Sequence, residues 1–154
     1  MERIASFTID HLNLESGLYV SRKDMRENVT VTTFDMRVTA PNKEPVMDMP
    51  ALHTIEHLGA TFLRNSEIKD DVVYFGPMGC RTGFYFLLKD TDHKTAVKVI
   101  KDAFRFIADF NGEIPGTTAI ECGNYLEHDL GGAKKIATEY LQILENVTEK
   151  TLNY

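Results

Sequence analysis

The amino-acid sequence predicts an α+β fold, in which an antiparallel sheet has helices packed on one face. Two observations lead to this prediction. Segments with the two-residue period of strands are grouped together, and segments with the 3.6-residue period of helices interrupt and follow them without strict β-α alternation. The chain has 154 residues and no internal repeat or glycine-serine linker, so we predict one domain over residues 1–154.

A β-hairpin is predicted between Gly17 and Val38. This stretch is rich in β-branched and aromatic residues, and the polar segment 26–28 interrupts it. Phe34 and Met36 alternate with polar neighbours, which is typical of a half-buried strand. Two further apolar strands, residues 72–75 and 84–88, are predicted on either side of a glycine-rich turn.

Three amphipathic helices complete the predicted fold. The first runs from about Pro50 to Asn65, and a proline suits the first turn of a helix. The second begins after Asp92, a plausible N-cap, and the third follows Gly131-Gly132. Their apolar faces carry, in chain order, Leu52, Ile55, Leu58, Phe62 and Leu63; Val97, Ile100, Phe104 and Ile107; and Ile136, Tyr140, Leu144 and Val147.

Charge and cysteine usage exclude several classes of function. The chain has 17 Lys and Arg against 23 Asp and Glu, a net charge of −6, and no basic run, which disfavours nucleic acid and anionic membranes as partners. The N-terminus lacks the apolar stretch of a signal peptide, and no apolar window is long enough to span a membrane. We therefore predict a cytoplasmic protein whose two cysteines are free thiols, metal ligands or a nucleophile.

The motif His53-Thr54-Ile55-Glu56-His57 is the strongest chemical signal. Residues four apart lie above one another on a helix, so His53 and His57 can bind one metal ion. Glu56 lies on nearly the same face, where a carboxylate can transfer protons beside the metal. The alternative is an exposed helix face with two incidental histidines. A metal site needs a third ligand, and the candidates are Cys80, Cys122, His11, His93 and His128.

Cys122 is followed by Gly123, which permits an exposed turn. A His-His-Cys set would leave the fourth metal position open for water or substrate, as a catalytic site requires. A small buried hydrophobic residue is the alternative role for this cysteine. Spacing alone leaves both readings open.

Cys80 lies in the glycine-rich turn beside Arg81, and a nearby cation or metal would lower the pKa of its thiol. The alternative is an inert thiol in a hairpin turn. Arg37 and Arg64 can each bind a carboxylate or orient hydroxyl groups. For Arg37 the alternative is an ion pair with Asp35, and for Arg64 it is an ordinary charge on a helix surface.

Three motifs occur together and in order: residues 53–57, residues 76–83 and residues 121–125. With them the chain resembles the S-ribosylhomocysteine lyase (LuxS, autoinducer-2 synthase) family over essentially its whole length. Shorter matches support the same resemblance, namely Ser6-Phe7, Asp10-His11, Phe34-Asp35-Met36-Arg37, Pro41-Asn42 and His128-Asp129-Leu130.

This resemblance implies a homodimeric α+β enzyme with its active sites at the subunit interface. It implies one catalytic domain that cleaves the thioether of S-ribosylhomocysteine. The products are homocysteine and 4,5-dihydroxy-2,3-pentanedione, the autoinducer-2 precursor, which connects the family to quorum sensing and the methyl cycle. His53, His57 and Cys122 match the metal ligands, and the ion is Fe²⁺, one per subunit, with zinc or cobalt able to substitute.

The resemblance also implies roles for the other candidates. Cys80 matches the acid/base thiol and Glu56 the second proton carrier. The matching substrate contacts are Ser6, His11 and Arg37 around the ribose and Arg64 at the homocysteine carboxylate. One departure concerns Tyr74, which stands where many members have an acidic residue near the amino end of homocysteine.

Two alternatives make different predictions. In an H-x-x-E-H zinc metallopeptidase, the histidines hold zinc and Glu56 activates water, but Cys80 has no role. A metal-stabilised interaction domain would unfold on chelation, whereas a catalytic metal can leave with the fold largely intact.

Overall fold

A computed structural model describes residue 4 and residues 7–154 of the chain. Within them, four strands and three α-helices form an α+β fold, as predicted. The elements in chain order are β1 (Gly17–Arg26), β2 (Val29–Arg37), α1 (Met49–Leu63), β3 (Val72–Pro77), β4 (Gly83–Lys89), α2 (His93–Asp109) and α3 (Leu130–Leu144). A short 3-10 helix, Lys69–Asp71, precedes β3.

The sheet is antiparallel throughout, with strand order β1-β2-β4-β3. Phe34 of β2 pairs with Phe86 of β4, and Asp35 pairs with Tyr85. Because successive side chains point to opposite faces, one face carries the phenylalanines and the other carries Asp35, Arg37 and Tyr85. The phenylalanine face belongs to the same buried cluster as the apolar faces of all three helices.

Close packing holds α1 against the sheet. Gly59 of α1 lies on the ring of Phe75 in β3, where an added Cβ would come within 2.5 Å of a ring carbon. A larger residue would therefore push the helix away from the strand. This approach fixes how the polar face of α1, which carries the His-x-x-Glu-His motif, is presented.

The helices differ from their predicted limits at the ends. α1 spans Met49–Leu63, and α3 begins at Leu130, so it includes both glycines that were expected to precede it. The physical reason is the N-cap, because the Asp129 carboxylate accepts a hydrogen bond of 2.9 Å from the Gly132 amide. Val147 lies beyond the end of α3 but is buried in the core. None of the described helices is long and apolar enough to cross a membrane.

Candidate active site

Helix α1 brings the two motif histidines together. The rings of His53 and His57 stand one turn apart, with their centroids separated by 4.6 Å and their planes at 89°. An apolar face that includes Ile55 and Leu58, both fully buried, fixes the rotation of the helix. The histidine face is consequently turned away from the core.

Two backbone carbonyls set which ring nitrogen of each histidine carries its proton. His53 donates from Nδ1 to the carbonyl of Glu127 at 2.9 Å, and His57 donates from Nδ1 to the carbonyl of Pro115 at 2.8 Å. Carbonyl oxygens only accept, so each Nδ1 is protonated, and in the neutral ring the lone pair is then on Nε2. This is the metal-binding form of imidazole, with the ring orientation held by an outer hydrogen bond.

Cys122 lies beside these rings. Its Sγ is 3.5 Å from His53 Nε2, and the amide of Asn124 donates to the same sulfur at 3.4 Å. The amide of Cys122 bonds the carbonyl of Thr118, which forms the turn that presents the thiol. Cys122 is therefore one of the candidate third ligands that the fold brings to the motif histidines.

A third histidine completes the cluster. One ligand atom each of His53, His57, Cys122 and His128 all lie within 4.8 Å of one another. His128 stacks on His53 with centroids 4.1 Å apart and planes at 22°. Its Nε2 is buried and has no hydrogen-bond partner among the described residues. Sequence reasoning named His128 as a candidate ligand and gave it no role.

The hydroxyl of Thr54 controls the orientation of His128. It donates to the carbonyl of Pro50 at 2.9 Å and accepts from the amide of Asp129 at 3.0 Å. With its one hydrogen used, it can only accept from His128 Nδ1, which lies 3.2 Å away. The lone pair of His128 is thus on Nε2. Burial, with added repulsion from the two neighbouring histidines, lowers the pKa of His128 and favours this neutral form.

The donor set fits a transition metal. Imidazole nitrogens and a thiolate are the ligands of tetrahedral zinc and related iron and cobalt sites. The ligand atoms of His53, His57 and Cys122 lie within 4.8 Å of one another, close enough to share one ion. His128 adds a fourth candidate donor to the same cluster.

The second chemical group of the chain is the Cys80 thiol. Its Sγ lies 3.1 Å from the hydroxyl of Thr82 and 4.0 Å from Nη1 of Arg37. The neighbouring cation is Arg37 rather than the adjacent Arg81, whose backbone has φ = 60° and whose side chain donates to the carbonyl of Met47. Burial acts to raise the pKa of Cys80, but hydrogen bonds from Thr82 and the charge of Arg37 outweigh it and lower the pKa.

Arg37 is a buried charge with a buried counter-ion. Its Nε and Nη2 donate to the two carboxylate oxygens of Asp35 at 3.1 and 2.6 Å, and its Nη1 donates to Thr82 at 2.6 Å. The side chains of Arg37 and Asp35 are 2% and 0% exposed. The ion pair considered as an alternative for Arg37 is therefore present, together with the thiol contact.

The other predicted site residues are more dispersed. Ser6 lies outside the described residues. Glu56 is half-buried on α1, and its carboxylate forms no hydrogen bond or ion pair within residues 7–154; His11 is half-buried and donates from Nδ1 to the carbonyl of Ile9. Arg64 is exposed just after α1, and Tyr74 is 47% exposed on the edge strand β3.

Cys80, with Thr82 and Arg37 beside it, forms a group that is distinct from the histidine cluster. No hydrogen bond or ion pair joins them in the part of the chain that the structure describes. A groove of about 760 Å³ between α3 and the segment after β2 contains none of the predicted site residues.

Comparison with known proteins decides the family. The family model for S-ribosylhomocysteinase (LuxS) matches residues 4–151. The chain belongs to this family. Among its relatives, the S-ribosylhomocysteine lyase of Clostridium acetobutylicum is 53% identical, with 100% of this chain and 99% of that protein covered. The S-ribosylhomocysteine lyases of Finegoldia magna and Borreliella burgdorferi are 52% and 53% identical with the same coverage.

Membership of the LuxS family confirms the resemblance seen in the three sequence motifs. It gives no support to the metallopeptidase alternative, since these relatives are all named as lyases. The histidine and cysteine cluster described above is thus a metal-binding cluster in a LuxS protein.

Proposed function

We propose that this protein is an S-ribosylhomocysteine lyase that moves the ribose carbonyl along the sugar and then eliminates homocysteine. The second product is 4,5-dihydroxy-2,3-pentanedione, the autoinducer-2 precursor. The observation that carries the proposal is the cluster of His53, His57, Cys122 and His128 in a chain of the LuxS family. We further propose that residues 1–154 act as one catalytic domain.

His53, His57 and Cys122 would hold the metal, which we propose to be Fe²⁺, one per subunit, with zinc or cobalt able to replace it. When bound, the ion acts as a Lewis acid toward substrate oxygens. The support lies in the two Nδ1–carbonyl hydrogen bonds, which leave both Nε2 atoms free, and in the Cys122 sulfur beside one of them. No change in the oxidation state of the metal is required.

Cys80 and Glu56 are proposed to carry the protons. Moving a carbonyl from C1 to C2 and then to C3 requires removal of a proton next to each carbonyl and its return to the neighbouring carbon. A thiol whose pKa is lowered by Thr82 and Arg37 supplies a thiolate base for the carbon-bound protons. Glu56, which has no competing partner in residues 7–154, would carry protons to and from the oxygens.

The final step is a β-elimination. With the carbonyl at C3, the base takes the proton on C4, a C4–C5 double bond forms, and the C5–sulfur bond breaks. The product is an enol at C4, and it becomes the dione when its hydroxyl loses a proton and C5 gains one. The electron pair of the C5–sulfur bond leaves with homocysteine as its thiolate, which is then protonated. The sequence of steps needs no organic cofactor.

Substrate contacts follow the positions of the remaining residues. Ser6, His11 and Arg37 are proposed to surround the ribose, and Nη1 of Arg37 reaches the same place as the Cys80 thiol. Arg64 is proposed to bind the homocysteine carboxylate, because its exposed guanidinium has no ion pair among the described side chains.

We propose that the active unit is a homodimer with its sites at the interface. The support is the face of the sheet opposite the helical core. Half-buried Tyr85 and Leu87 border a groove of about 320 Å³ there, beside the exposed Tyr74. Exposed aromatic and apolar patches of this kind are typical of interfaces. An active monomer in sedimentation velocity at assay concentrations would contradict this arrangement.

One experiment tests the function directly. The protein is purified without oxygen, its metal content is measured, and homocysteine thiol release from S-ribosylhomocysteine is followed, with a peptide panel as the comparison substrate. Thiol release with one metal per chain is the expected result. Peptide cleavage without thiol release would refute the lyase, and unfolding on chelation without either activity would favour a metal-stabilised interaction domain.

A further inference from the structure

A line of hydrogen bonds runs from Tyr154 to the Cys80 thiol. The hydroxyl of Tyr154 donates to Oδ2 of Asp35 at 2.8 Å. Asp35 accepts from Nε and Nη2 of Arg37, and Nη1 of the same guanidinium donates to Thr82 and faces the sulfur of Cys80. The line joins residues that are distant in the sequence and includes one anion, one cation and one thiol.

Burial makes the charges of this line interact strongly. In the middle of the line, Asp35 is 0%, Arg37 2% and Thr82 4% exposed, whereas at its two ends Tyr154 is 48% exposed and Cys80 is also exposed. Between the buried Asp35 and Arg37 the field of a charge is weakly screened, so a hydrogen bond that Asp35 accepts alters how far its charge offsets that of Arg37. Asp35 occupies the Nε and Nη2 edge of Arg37 and therefore fixes which edge of the guanidinium is left for the thiol.

Contacts with β1 hold Tyr154 in place beside Asp35. Leu152 is buried at 2% exposure, and its carbonyl accepts a hydrogen bond of 2.7 Å from the amide of Val20 in β1. The ring of Tyr154 stacks on Tyr19 at 4.8 Å. Burial and the nearby Asp35 raise the pKa of Tyr154, so its hydroxyl keeps its proton and remains a donor.

We propose that Tyr154 and Asp35 are positioning residues for Cys80, with the Tyr154 hydroxyl drawing charge from Asp35 and so leaving more of the Arg37 charge to stabilise the thiolate. The proposal rests on the proposed function, in which Cys80 is the base. Asp35 alone orients Arg37 but also neutralises it. The hydrogen bond from Tyr154 weakens that neutralisation without releasing the guanidinium.

The other groups near the thiol do not supply this effect. Tyr85 lies on the same face as Asp35, and burial, together with Asp35, raises its pKa, so it remains neutral. Thr82 is uncharged. Arg81 donates to the carbonyl of Met47 instead. Arg37 is thus the cation that acts on Cys80 among the described residues, and its charge is shared with Asp35.

The test measures the thiol itself in the metal-loaded protein. The rate of Cys80 alkylation by iodoacetamide is followed against pH by mass spectrometry of the Cys80 peptide. We expect Tyr154→Phe to move the profile to higher pH and to slow alkylation about two- to fivefold below its midpoint, with the plateau at high pH unchanged. Tyr19→Phe is the matched control, because its hydroxyl donates to the backbone of Glu15 and its ring keeps the stack.

A double-mutant cycle isolates the proposed route. In an Asp35→Asn background the amide no longer carries the charge that Tyr154 modulates, so Tyr154→Phe is expected to have no further effect on the profile. An equal effect in both backgrounds would overturn the proposal. So would a Tyr154→Phe profile that superimposes on those of wild type and Tyr19→Phe, or one slowed equally at every pH.

The thiol measurement tests the role of Tyr154 even if one variant fails to fold or the lyase activity is absent. If Asp35→Asn does not fold, the comparison of Tyr154→Phe with Tyr19→Phe still supports or overturns the proposal by itself. Alkylation is measured without substrate, so a failure of homocysteine release in the wild-type protein would contradict the proposed function and leave the thiol measurement intact.

Discussion

Gly116 offers a sharp test of how the metal cluster is held. It has φ = 73°, in the left-handed region, and follows Pro115, whose carbonyl accepts the Nδ1 proton of His57. A Cβ added to Gly116 would lie 3.2 Å from that same Nδ1. Gly116→Ala therefore strains the backbone and presses on the ring that the backbone orients.

The expected size of the effect has two parts. Placing alanine in the left-handed region costs about 1–2 kcal/mol, which lowers the free energy of unfolding of the metal-free protein by that amount. Disturbing an outer hydrogen bond to a metal ligand typically lowers metal affinity about 10- to 100-fold. The second effect depends on His57 being a ligand, and the first does not.

The assay compares Gly116→Ala with Gly123→Ala. Gly123 is adjacent to Cys122, has an ordinary φ, and an added Cβ there meets no atom within 4 Å. Urea unfolding gives the free energy of unfolding, and competition with a chelator gives the cobalt affinity. Cobalt binding by Gly116→Ala that is as tight as that by Gly123→Ala would contradict the role of this carbonyl, and unfolding of both variants at the same urea concentration would contradict the backbone strain.

Four further predictions concern the site and the core. Cys80→Ala abolishes homocysteine release with metal content near one per chain, and wild-type turnover in this variant would remove Cys80 from the mechanism. Cys122→Ala loses the metal in elemental analysis, and stoichiometric binding would remove it from the ligand set. Since the pKa of Cys80 is lowered, its alkylation stays fast at pH values where an ordinary thiol is already protonated, and it slows only at lower pH as the thiolate gains a proton. Arg37→Gln shifts this loss of reactivity to higher pH. An unchanged pH profile would contradict the role of Arg37. Tyr140→Phe lowers the free energy of unfolding by about 1 kcal/mol, because the buried hydroxyl donates to the Gly17 carbonyl at 2.7 Å, and an unchanged urea midpoint would show that bond to be negligible.

Local patterns predicted what local physics determines. The four-residue spacing placed His53 and His57 on one helix face, and the two-residue period placed Asp35 and Arg37 on one sheet face. Both follow from the geometry of a single element. The start of α3 was misplaced, because the Asp129 carboxylate caps the helix before the glycines that favour a break.

Contacts between residues far apart in the sequence could not be predicted from local patterns. His128 joins the cluster only because the segment before α3 folds back onto α1, 74 positions away along the chain. The cation beside Cys80 is Arg37 from β2 rather than the sequence neighbour Arg81, since the left-handed backbone at Arg81 directs that side chain toward Met47. The family motifs named Cys122 as a ligand, whereas spacing left its role open.

The carbonyls that orient His53 and His57 have a consequence for metal loss. They belong to residues 110–129, which contain turns but no helix or strand. Cys122 and His128 lie on the same stretch, so a bound ion would tie it to α1 at several points. Removing the metal should increase local unfolding of this stretch alone and leave the sheet and the helices folded. We expect a protease to cut the chelated protein first between Asn111 and His128, so cleavage there would report whether the metal site is occupied.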